Sequence, residues 1–111
     1  CGVTLNRNSL PFDPNGPHYT SGLRVGSPAI TSLGMGAEEM KEIASIFKLI
    51  LSSTTPKILT KGKNAGQPSK VKYDIPETVV EEGRSRVQSL LDRFVLYPEL
   101  DVEFLKSQFS L

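Results

Sequence analysis

The sequence predicts a small α/β domain of the α+β kind, with short strands packed against helices, on three observations. Apolar residues recur at helical spacing from Ala37 to Ser52, and again from Pro76 to about Leu96. Two short strand-like runs, Gly2 to Asn6 and Leu23 to Val25, precede them between clusters of turn residues. The length of 111 residues suits one core and not two. Two strands do not make a stable sheet alone, so a further strand is expected upstream of Cys1. The chain opens on Cys1 rather than Met and enters a strand-like run at once, which reads as a piece of a longer polypeptide.

Each element has its own warrant. After the first strand, Asn8-Ser9-Leu10-Pro11 and Asp13-Pro14-Asn15-Gly16-Pro17 spell an irregular, turn-rich loop. Leu23 to Val25 lies between Gly22 and Gly26, and Ser27-Pro28 then restrains the backbone. Met40, Ile43, Ala44, Phe47, Ile50 and Leu51 mark one face of the first long helix, with Glu38 and Glu39 in its first turn complementing the dipole. Pro76 suits the first position of a second helix with Val80, Gly83, Val87, Leu91 and Phe94 on one face, ended by Pro98. Asp101 is placed to cap a short helix over Val102 to Phe109. The organisation is therefore one partial domain over 1–111: a strand-loop-strand-helix core at 2–52, a Lys-rich connector at 53–74 and terminal helices at 75–111. The connector lacks apolar periodicity and is expected to be mobile and dispensable for the fold.

Composition excludes several functions. Thirteen basic against twelve acidic residues leave a net charge of +1, which gives neither nucleic acid nor an anionic membrane as the main partner. The longest apolar stretch, Ile43 to Leu51, is interrupted by Ser45 and Lys48 and is too short to span a bilayer. A lone cysteine permits no internal disulfide, which fits a reducing compartment. One histidine and one cysteine complete neither a catalytic triad nor a metal cluster, and His18 reads as a loop residue. Gly62 and Gly66 lack the Lys-Ser/Thr of a phosphate loop. Lys57, Lys61, Lys63, Lys70 and Lys72 form a basic run that reads first as a solvated loop and second as a docking patch for a polyanion.

One residue stands out. Arg24 lies in Thr20-Ser21-Gly22-Leu23-Arg24-Val25-Gly26-Ser27-Pro28-Ala29, among residues that leave space rather than fill it. Space of this kind lets a planar guanidinium approach a small anion and hold it by two parallel hydrogen bonds. Recognition of a carboxylate is the chemistry expected.

With Asn6-Arg7-Asn8-Ser9, then Pro11-Phe12-Asp13-Pro14, then Thr20 to Ala29, the chain resembles the serine hydroxymethyltransferase family in register from Gly2 to about Ile50. The family carries Asn-basic-Asn-Ser, Pro-x-Asp-Pro and Thr-Ser-Gly-aliphatic-Arg-aliphatic-Gly-Thr-Pro-Ala in that order. The resemblance implies the C-terminal domain of a fold-type I pyridoxal-phosphate enzyme, missing its N-terminal strand and helix. It implies an activity that interconverts serine plus tetrahydrofolate with glycine plus methylenetetrahydrofolate. It further implies that Arg24 binds the substrate carboxylate, that Asn8 contacts the folate, and that the cofactor's attachment lysine lies outside this segment. No catalytic, cofactor-binding or metal residue is therefore assigned here, and the segment alone is expected to be inactive. The large cofactor domain of the same polypeptide, a homodimeric or homotetrameric assembly and a cytoplasmic location follow from the same resemblance.

Departures from the family pattern are Ser27 for Thr, Leu33 where Arg is common before Gly34, and His18 at a position often apolar. The sequence after the first half matches the family poorly and reads as a lineage-specific elaboration. Alternatives are another fold-type I enzyme such as an aminotransferase, against which the folate-related Asn6 to Ser9 element argues, and a non-catalytic interaction domain using the Lys-rich loop.

Overall fold

Residues 1–62 and 64–109 are described by the structure, a computed structural model. The element order is β1 (Asn6–Asn8), β2 (Gly22–Arg24), α1 (Pro28–Ser32), α2 (Ala37–Ser52), β3 (Thr55–Ile58), β4 (Pro68–Asp74), α3 (Glu77–Arg93) and α4 (Val102–Phe109). A small mixed helix-strand domain is thus observed. Its strands form two separate antiparallel pairs, β1 with β2 and β3 with β4.

α2 occupies the span its periodicity predicts. Gly36 leads in with extended backbone, and the Glu39 carboxylate accepts the Gly36 N–H at 2.9 Å, satisfying a donor at the helix start. α3 packs antiparallel along α2, with Arg93 meeting Glu39 at one end and Gly83 omitting a side chain against Ile50 at the other. The core between them is Met35, Ile46, Val87 and Leu90, with Cys1, Ile30, Met40, Ile43, Ile50 and Phe94 packed around it. On one flank the helices are tied by ion pairs. Arg86 donates to both oxygens of Glu42 at 2.7 and 2.8 Å and to Ser45 Oγ at 2.9 Å, and Arg93 donates to Glu39 at 2.6 Å. The Arg86 hydrogen bonds hold the Glu42 carboxyl below its ordinary range and raise the guanidinium above its own.

Several expectations are corrected. The first strand is Asn6–Asn8 rather than Gly2 to Asn6, and Pro28–Ser32 forms a short helix with its proline at the start. Pro76 is extended (φ −60°, ψ 133°), so it stands as the cap that precedes α3 instead of its first helical residue. α3 ends at Arg93, ahead of Pro98, where Phe94 leaves helical geometry. The buried stripe of α2 centres on Ile46, which the expected face omitted, while Ala44 and Leu51 on that face are exposed.

The largest difference is at 53–74, where the expected irregular connector is a β-hairpin. Thr55 pairs with Asp74 and Pro56 with Tyr73, and a bulge follows before Ile58 meets Pro68. Its β4 alternates Lys70, Val71, Lys72, Tyr73, a period of two rather than 3.6. α4 matches its expected bounds, and Asp101 Oδ1 accepts the Phe104 N–H at 2.9 Å as its cap. The hairpin and α4 project from the α2–α3 pair, giving a radius of gyration of 18.5 Å against about 13 Å for a compact chain of this length.

Candidate functional site

The β1–β2 pair sets the geometry of the site. Asn6 pairs with Arg24, Arg7 with Leu23 and Asn8 with Gly22. Since strand side chains alternate between faces, Asn6, Asn8 and Arg24 share one face and Arg7 and Leu23 the other. Gly22 lets the strands approach: a Cβ there would lie 2.7 Å from the Asn8 carbonyl oxygen and 2.7 Å from Leu10 Cδ2.

Beneath this pair lies a cavity of about 450 Å³, bounded on the far side by α2 and α3. Val3, Leu5, Ile43, Phe47 and Leu91 give it apolar walls, and Asn6 and Arg24 stand at its polar end. Arg24 is exposed, and among the described residues it forms no ion pair. A guanidinium with free donors beside an apolar wall attracts a carboxylate more strongly than one in open water.

Asn8 shares the Arg24 face but does not line the cavity; its amide donates to the Ser9 carbonyl at 3.2 Å. The two predicted site residues are therefore brought to one sheet face, and only Arg24 reaches the cavity. Asn6 borders the cavity with it and was not singled out. Its signal is its place two residues before Asn8, which a two-residue period puts on the same side.

A second residue missed from the sequence is Asp13, which organises the loop joining the strands. Asp13 Oδ2 accepts the N–H groups of Ser21 at 2.7 Å and Leu10 at 3.3 Å. Its Oδ1 accepts the Asn15 N–H at 2.9 Å and the Ser21 hydroxyl at 2.8 Å. These bonds, the Ser21 N–H first among them, hold the carboxyl down at about 2. Asp before Pro-Asn-Gly is the sequence signal for such a side-chain-closed turn.

The other candidates are dispersed. Lys57 pairs with Asp74 at 2.8 Å, and Lys70 sits 5.5 Å from the centre of the Tyr19 ring. Lys63 lies outside the described residues, and among the described ones Lys57 and Lys70 are held by different partners. His18 is exposed in the loop. Among the described residues no group of three or more His, Cys, Asp or Glu could hold a metal, and no helix is long and apolar enough to cross a membrane.

Residues 1–47 match a family model described as serine hydroxymethyltransferase. The chain is 56% identical over 110 residues to the serine hydroxymethyltransferase of Treponema pallidum (strain Nichols), covering 99% of this chain and 18% of that protein. It is 46% identical over 105 residues to that of Chlamydia abortus, covering 94% and 20%, and 45% identical over 102 residues to that of Cutibacterium acnes, covering 92% and 20%. No solved structure matches. The chain spans about a fifth of the length of the curated relatives it matches. The second half lies beyond the family model but within these alignments, so it is shared by treponemal, chlamydial and Cutibacterium proteins rather than peculiar to one lineage.

Proposed function

The chain belongs to the serine hydroxymethyltransferase family, and on that premise we propose that it forms the C-terminal, substrate-carboxylate-binding part of such an enzyme. The whole enzyme interconverts serine plus tetrahydrofolate with glycine plus methylenetetrahydrofolate. Arg24 clamps the α-carboxylate of the amino acid by two parallel hydrogen bonds, and Asn8, on the same face, meets the folate. The observation that supports this best is the β1–β2 register, which sets Arg24 and Asn8 on one side of a two-stranded platform.

Pyridoxal phosphate, which the family implies, supplies electron-withdrawing chemistry when bound. The residues of this chain do not fit as its seat. Every described lysine is exposed and none lines the cavity, whereas a covalently held cofactor needs a lysine enclosed with it. Its attachment lysine is assigned to the large domain of the same polypeptide, as part of a fold-type I architecture.

Arg24→Lys in the full-length enzyme tests the reading. Lysine keeps the charge but presents a point ammonium, so the carboxylate plane is no longer fixed. Truncating one partner of a desolvated charge pair costs ~2–5 kcal/mol. That lowers kcat/KM for serine roughly thirty-fold to several-thousand-fold, while visible absorbance of the bound cofactor is retained. Serine turnover within a factor of two of the parent would make Arg24 an ordinary surface residue and defeat the proposal.

A further inference from the structure

The two strands of the site hold their register by very little of their own. β1 and β2 share three residue pairs, Asn6 with Arg24, Arg7 with Leu23 and Asn8 with Gly22, and among the described residues no third strand joins them. Register is fixed firmly where one face of a strand is apolar and buried, and weakly where both faces are polar. Here the strands read Asn-Arg-Asn and Gly-Leu-Arg, and their one large apolar residue, Leu23, is half-exposed. A slip of one residue turns Arg24 from the face of Asn6, which borders the cavity, to the face of Arg7, which does not.

Asp13 supplies what the ladder lacks. Its Oδ2 accepts the Leu10 N–H at 3.3 Å, on the chain leaving β1, and the Ser21 N–H at 2.7 Å, on the chain entering β2. One oxygen thus bridges the two strands just past their last pair, Asn8 with Gly22. Oδ1 accepts the Ser21 hydroxyl at 2.8 Å, and Asn15 Nδ2 donates to that hydroxyl at 2.8 Å, so Ser21 is held through backbone and side chain together. The chain bends sharply to bring the carboxylate there. The Asp13 N–H donates to the Leu10 carbonyl at 3.1 Å, and Phe12 between them takes φ +59°. A residue with a Cβ keeps that conformation only where its surroundings over-determine it. Local strain is tolerated here, and its result is the placement of one carboxylate across two strand ends.

We propose that Asp13 is a positioning residue for the amino-acid substrate: it locks β2 on β1 in the register that sets Arg24 at the polar end of the cavity. The inference rests on the carboxylate reading of Arg24. Asp13 lies outside the cavity lining, so its effect reaches the substrate only through Arg24. Asparagine at this position keeps one acceptor oxygen and turns the other into a donor facing N–H groups, which loosens the bridge at nearly constant volume.

Steady-state kinetics of the full-length enzyme with serine test it through Asp13→Asn, Ser21→Ala and each of these combined with Arg24→Lys. Misplacing a binding group by an ångström costs on the order of a hundred-fold, so KM for serine rises roughly five-fold to a hundred-fold in Asp13→Asn. Its kcat stays within about two-fold, because the carboxylate is held alike in the ground and transition states. Ser21→Ala keeps the backbone bond and loses only the hydroxyl, so KM rises roughly two-fold to ten-fold. This milder variant carries the same test if Asp13→Asn does not fold. In the Arg24→Lys background either change lowers kcat/KM by less than about two-fold further, since residues acting through one contact are not additive. A merely structural aspartate would impose its full factor in both backgrounds, and that result overturns the inference. So does an unchanged KM in whichever variant folds, beside the loss expected for Arg24→Lys. A normal kcat/KM in Arg24→Lys itself defeats the functional reading and this inference together.

Discussion

Substituting Gly22 by alanine isolates the contact that joins the two strands of the site. The added Cβ would stand 2.7 Å from the Asn8 carbonyl oxygen, 2.7 Å from Leu10 Cδ2 and 3.0 Å from Leu10 Cγ. Carbon contacts are favourable at about 3.5–4.0 Å, so something must move by more than half an ångström. Leu10 is half-exposed and can rotate away, but the Asn8 carbonyl belongs to the strand paired with Gly22 itself. Only separation of β1 from β2 relieves that clash. Overpacking of this kind costs about 1–3 kcal/mol and tilts Asn8 away from the face it shares with Arg24. Gly26→Ala is the matched control, since its Cβ meets only Pro28 Cδ at an ordinary 3.7 Å. Urea unfolding followed by circular dichroism gives the stability difference, and KM for serine in the full-length enzyme reports the displacement. If Gly22→Ala lies within about 0.5 kcal/mol of Gly26→Ala, the range of ordinary surface substitutions, the reasoning from strand proximity is wrong.

Two further perturbations bear on the core and the loop. Ile46→Ala removes three buried carbons at ~0.8 kcal/mol each, and because Ile46 already borders the cavity its total cost stays near the lower end of the usual range, about 2–3 kcal/mol in chemical denaturation. Leu51→Ala, on the face expected from periodicity yet exposed, costs less than about 1 kcal/mol in the same assay. The Asp13 carboxyl is lowered in the folded chain from 3.8 to about 2, so its stabilisation is fully present above pH 4 and is lost as pH falls toward 2. Asp13→Asn therefore weakens the chain near neutrality and removes this acid-side loss; an unchanged acid midpoint in a pH titration of the variant would contradict the hydrogen-bond network described.

What could be read from the sequence depended on the length of each repeating signal. α2 and α4 were legible because sixteen residues of helical spacing and an aspartate cap are strong local statements. The rotation of α2 was not, because Ile43, Ile46 and Ile50 make a face as consistent as Ile43, Ala44 and Leu51, and only α3 decides which is buried. The β3–β4 hairpin escaped because Pro56 and Pro68 interrupt strands whose alternation is short, and because lysines on one face mask valine and tyrosine on the other. At the site, Arg24 could be singled out from the small residues around it, whereas its pairing with Asn6 is a matter of register. The four hydrogen bonds to Asp13 depend on a loop path that no periodicity encodes.

Gly83 carries a consequence for how this sequence can drift. A Cβ on it would come within 3.0 Å of Ile50 Cδ1 and 3.2 Å of Cys1 Cβ, so three residues far apart in the chain share one small volume. Inheritance must treat them as a single character. A bulkier residue at 83 fits more easily with a shorter one at 50 or at 1, and a lineage that changes position 83 alone must first shift Ile50 or Cys1 by a few tenths of an ångström. Among variants of this chain, tolerance at these three positions is therefore conditional, and a substitution harmless in one background is harmful in another.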